Sequence, residues 1–129
     1  MAKKNDTEGS RLYLDPVALL QGFILAQVLL LLLTIVLATL VYFSSWQASL
    51  GLLAALAHLG VLGGSVVAGW RCHKRAWLHG VVVGVAAFLV LSWLGYGDSP
   101  FVTWAWWNAL LKMTMVAMLG GIFGGLFST

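Results

Sequence analysis

Leu62–Gly84 reads LGGSVVAGWRCHKRAWLHGVVVG: an apolar run closes on a tryptophan, a basic turn follows, and a second tryptophan opens another apolar run. Arg71, His73, Lys74, Arg75 and His79 make the turn a basic hinge, and no acidic residue stands anywhere in the stretch. Extended outward, the first run reaches back to about Trp46 and ends at Trp70. The second begins at Trp77 and continues to about Tyr96. Each attains the roughly 20 apolar residues that a helix needs to cross a hydrocarbon core of about 30 Å. The stretch is the turn of a membrane hairpin.

Two further apolar runs flank that hairpin, Pro16–Tyr42 and Pro100–Phe127. Leu19–Leu33 lacks the strict polar–apolar alternation of a barrel strand. The expected fold is therefore an all-α polytopic membrane four-helix bundle, up-down-up-down. Residues 16–127 form a single transmembrane domain behind a polar tail, 1–15. Composition agrees: the 129 residues are 61% hydrophobic and 9% charged, against about 25% charged in soluble domains. A mean hydropathy of +0.97 leaves no room for a separate soluble domain. The first run is too long for the core of a signal peptide and has no clear cleavage site, so it is expected to stay as an anchor. Asp15 before Pro16 and Ser99 before Pro100 read as N-caps followed by a first-turn proline. Ser44 or Ser45 is the expected cap of the second helix, and Gly95–Asp98 the turn between the third and fourth.

Six of the seven Lys and Arg residues lie in two places, Lys3, Lys4 and Arg11 in the tail and Arg71, Lys74 and Arg75 in the turn. The connections near Ser45 and Asp98 have none. The positive-inside rule then sets both termini and the basic turn in the cytoplasm. Trp46, Trp93, Trp104, Trp106 and Trp107 fall towards the outer interface, with Trp70 and Trp77 at the inner one. The net charge of +3 is explained by topology and anionic headgroups, so no nucleic-acid partner is expected. Cys72 is the one cysteine, which excludes an intramolecular disulfide. No zinc-ligand spacing, nucleotide loop or cofactor fingerprint occurs, and none of Ser65, Ser92, Thr114 or His58 forms a catalytic signature. The sequence predicts no enzyme, no metal and no cofactor.

Glycines concentrate in the half of each span next to the basic turn. They are Gly22 in the first helix, Gly60, Gly63, Gly64 and Gly69 in the second, Gly80 and Gly84 in the third, and Gly120, Gly121, Gly124 and Gly125 in the fourth. Small residues four apart let helix backbones approach closely where lipid gives little hydrophobic reason to associate. Helix packing, a glycine-lined gate and oligomer or partner contacts all fit this pattern. Leu62-Gly63-Gly64 with Ala68-Gly69 also parallels Leu119-Gly120-Gly121 with Gly124-Gly125, which suggests a duplicated hairpin.

The stretch Leu62–Gly84, with its Trp77–Gly80 signature, and the later LGGIFGG at Leu119–Gly125 resemble an uncharacterised family of small four-helix bacterial membrane proteins, the YrzE-like proteins. The resemblance runs over most of the chain beyond the tail. It implies a multi-pass protein of the bacterial inner (cytoplasmic) membrane and supplies no catalytic residue.

Lys112 has no obvious place in such a bundle. Counted at 1.5 Å per residue from Pro100, it lies about 17 Å deep, where a lysine costs on the order of 2.5 to 3.5 kcal/mol to insert. Asn108 stands one turn away on the same face. Depth counting brings His58 and Thr34 near that layer, with Gln27 deeper. These five make a candidate intramembrane polar site. None of the four acidic residues falls within a span, so a charged Lys112 must meet neutral acceptors, water, an anion, a headgroup by snorkelling, or a carboxylate from another chain. The expected role is a non-enzymatic assembly, stability or regulatory subunit working through helix contacts with lipid and a membrane protein partner. The alternative is a small homo-oligomeric channel or transporter, for an anion, built on the Lys112 layer.

Overall fold

The computed structural model describes residues 14–72, 74–95 and 103–128. They form four helices: α1 Pro16–Ser44, α2 Leu50–Arg71, α3 Ala76–Gly95 and α4 Trp104–Leu126. All four are long and apolar enough to cross a membrane. The tail basic residues Lys3, Lys4 and Arg11, His73 of the turn, and the Ser99–Pro100 cap lie outside the described residues.

α1 begins as an Asp-Pro pair should. The Asp15 carboxylate accepts from the Val17 N–H at 3.0 Å and from the Ala18 N–H at 3.5 Å, while Pro16 needs no acceptor at the first helical position. α1 runs two residues past Tyr42. α2 starts at Leu50, later than the expected Trp46, and its cap is neither Ser44 nor Ser45. Ser44 donates its hydroxyl back to the Leu40 carbonyl at 2.7 Å, and Ser45 turns left-handed at φ 53° as the C-cap of α1. Ser49 takes the capping role, its Oγ accepting from the Leu52 N–H at 3.2 Å. α4 opens at Trp104 behind Thr103, whose side chain makes no capping bond.

α2 and α3 are the central helices. Each packs on the other and on both α1 and α4, whereas α1 and α4 do not touch. One core cluster joins Val61 of α2, Ala87 and Phe88 of α3, and Met113 and Ala117 of α4. A second, Ala26, Ala68 and Val83, joins α1, α2 and α3. Most of these side chains are small, so backbones rather than bulky groups fill the interior. The large apolar residues, such as Ile24, Leu31 and Ile35 on α1 and Leu111 and Met115 on α4, point outward. A continuous apolar exterior of this kind is a liability in water and the ordinary condition in hydrocarbon.

Candidate functional site

The glycines meet neighbouring helices, and what they meet differs. A Cβ on Gly69 would run into the carbonyl of Gly121, one on Gly80 into the carbonyl of Ala117, and one on Gly124 into the carbonyl of Val66. On Gly121 it would stand 2.6 Å from the Ala76 oxygen and 3.0 Å from the Gly80 Cα. Gly69, Gly80 and Gly121 thus bring the backbones of α2, α3 and α4 together at one place. Gly64 stands against Ala26 and Gly22, and Gly22 against Ala68. Gly84 meets the Ala117 methyl, Gly120 the Leu62 carbonyl and Ser65, and Gly125 the Ala76 methyl. Gly60 and Gly63 face only leucine side chains, Leu30 and Leu29, within close range.

The five residues of the predicted polar layer do not come together. Thr34 is exposed on α1 and donates its hydroxyl to the Leu30 carbonyl at 2.7 Å. His58 is half-buried on α2 with Nδ1 on the Ala54 carbonyl. Gln27 is half-buried, and its Nε2 is enclosed without a partner. Asn108 and Lys112 are exposed on α4. The α2–α3 pair lies between α1 and α4, and α1 and α4 are not in contact, so Thr34 and Gln27 do not stand beside Lys112. The inward stripe of α4 is Met113, Ala117, Gly120, Gly121 and Gly124. At 3.6 residues per turn Lys112 sits roughly 140° round from Ala117, and Asn108 roughly 180°. With α4 starting at Trp104, Lys112 lies about 12 Å from the helix start rather than about 17 Å. No described residue hydrogen-bonds or ion-pairs with it.

A different polar constellation forms beside the basic turn. His79, in the first turn of α3, is 1% exposed. Its Nε2 accepts from the backbone N–H of Asp15 at 3.0 Å, and its Nδ1 lies 3.1 Å from the Arg75 carbonyl. A backbone N–H requires an acceptor and a carbonyl requires a donor, so the two contacts assign Nε2 the accepting and Nδ1 the donating role. His79 therefore ties the start of α1 to the start of α3. Cys72 is buried alongside. Burial pushes its thiol above the ordinary range, and the negative charge of Asp15 pushes the same way. Sequence reasoning grouped His79 with the basic turn. The signal for its separate role was a histidine one turn inside an apolar run, three residues beyond Ala76, where a ring is drawn under the bundle. Trp106 likewise turns inward: its Nε1–H donates to Ser92 Oγ at 3.1 Å and its ring meets Phe88 edge-on, while Trp104 and Trp107 stay exposed.

Among the described residues no cluster of His, Cys, Asp and Glu is arranged to hold a metal ion. What the geometry defines is a helical membrane protein with close inter-helix packing, one exposed cation on an apolar helix face and a basic turn. The chain belongs to a family described as a protein of unknown function, DUF3792, whose model matches residues 16–124. No curated protein and no solved structure matched it.

Proposed function

We propose that this chain is a non-enzymatic subunit of the bacterial cytoplasmic membrane, a YrzE-like member of its family. It assembles, stabilises or regulates another membrane protein through helix–helix contact. Its helices run up-down-up-down with both termini and the basic turn in the cytoplasm. Support for the topology comes from the charge split and from contact order: Gly22, Ala26 and Leu30 of α1 meet Ala68, Gly64 and Gly60 of α2, each step reversed. Glycine-rich contacts hold the bundle, and α4 offers its outer face to the partner.

The observation that carries the reading is the exposed Lys112. Lys112 is exposed, and small Ala105 and Ala109 with Asn108 share that exposed side of α4. A second helix can approach closely there. A channel within one chain would need Lys112 turned inward, and a pore between copies would need a homo-oligomer. The test is native mass spectrometry after gentle extraction from the native membrane, wild type against Lys112→Leu. A particular membrane protein should accompany the wild type and be lost, tenfold or more, in the variant. A lone monomer in both samples sinks the reading, and a homo-oligomer without other proteins redirects it to liposome flux assays.

A further inference from the structure

An open cavity of about 420 Å³ lies between the basic turn and the last turns of α4. Its wall has two chemistries. Arg75 and Cys72 come from the turn, Ala76 and Trp77 from the start of α3, and Ile122, Gly125 and Leu126 from the end of α4. Gly125 lies close against the Ala76 methyl and adds no side chain of its own to the wall. Arg75 is exposed, as are Arg71 and Lys74 of the same turn, and none has an ion-pair partner among the described residues. The one described carboxylate, Asp15, is spent on capping α1. Ile122, Leu126 and Trp77 are all more than a third exposed, so the apolar wall continues directly onto the outer surface of α3 and α4.

We infer that this cavity is a binding site for an anionic phospholipid. Its phosphodiester sits on Arg75 and one acyl chain lies along Ile122 and Leu126. The occupant must be an anion at one end and a hydrocarbon at the other. A free phosphate leaves the apolar wall unused, and an uncharged alkyl chain leaves the arginine unanswered. The volume suits a headgroup and the first carbons of a chain. Basic pockets at the ends of transmembrane helices take anionic headgroups, and tryptophan favours the boundary between headgroup and chain. This inference goes beyond the subunit reading and stands independently of it, because it concerns the purified chain alone.

The test is native mass spectrometry of the purified full chain released from nanodiscs of equimolar phosphatidylglycerol and phosphatidylcholine. Wild type is expected to retain phosphatidylglycerol over phosphatidylcholine. Arg75→Gln should reduce that preference about fivefold, and Arg75→Lys should keep most of it. Leu126→Gln sits at an exposed helix end and should lower retention of both lipids without altering the fold by circular dichroism. Added inorganic phosphate should not displace the lipid. Equal retention of both lipids by wild type, or an unchanged preference in Arg75→Gln, overturns the proposal. Displacement by millimolar phosphate overturns it as well and leaves a simple anion site.

Discussion

Asp15 does three separate jobs from one position. Its carboxylate caps α1, its backbone N–H reaches His79, and its charge bears on the Cys72 thiol. Only the last depends on charge, since asparagine caps a helix about as well as aspartate and keeps the same backbone. Asp15→Asn therefore isolates the electrostatic contribution. Burial and the neighbouring negative charge both disfavour the thiolate, which is the reactive form. Alkylation of Cys72 in folded protein should accordingly be slow near pH 7 and rise only at a pH above that needed for a free thiol. Asp15→Asn should move this profile to lower pH, though not as far as in protein unfolded in detergent, because burial remains. Timed maleimide labelling between pH 7 and 10 reads both effects. A variant profile superimposed on wild type would show that burial alone governs the thiol.

The element scale is where volume decides. Replacing glycine by alanine inside a helix gains about 0.8–1 kcal/mol of propensity, whereas overpacking a tight contact costs about 1–3 kcal/mol. At Gly121 the added methyl meets the Ala76 oxygen and the backbone of Gly80, neither of which can yield without moving α3. At Gly63 it meets only the tip of Leu29. Gly121→Ala should destabilise by about 1–2 kcal/mol net, and Gly63→Ala should be neutral or slightly stabilising, as measured by thermal unfolding in detergent. Equal losses would mean that α3 and α4 are not in backbone contact. Sequence could not rank these two residues. It did yield the number of spans, because four apolar runs of sufficient length admit little else, and the start of α1, because Asp-Pro has one obvious use. The start of α2 was obscured by three serines, Ser44, Ser45 and Ser49, all chemically able to cap. The choice fell to Ser49 only because the end of α1 engages the other two.

At the scale of the whole molecule, the order of packing explains why residues counted into one polar layer stand on helices that do not touch. Helical depth follows from counting, but azimuth follows from amphipathic asymmetry. Residues apolar on every side of a helix leave almost no such asymmetry. α1 and α4 are nearly of that kind. Lys112 and Thr34 therefore read as neighbours in one layer, although α2 and α3 separate their helices. The separation is testable with cysteine pairs in a Cys72→Ser background. Thr34→Cys with Lys112→Cys should give no disulfide within a single chain under mild oxidation, since a bond requires Cα atoms within about 7 Å. Ala26→Cys with Gly64→Cys, at touching positions of α1 and α2, serves as the comparison pair and should cross-link within the chain. Efficient closure of the first pair would restore the internal polar layer, and with it the transport reading. Cross-links from Lys112→Cys alone would instead report what lies against the outer face of α4. Joined copies of this chain indicate a homo-oligomer, and a second membrane protein indicates the docking surface that an otherwise unanswered cation implies.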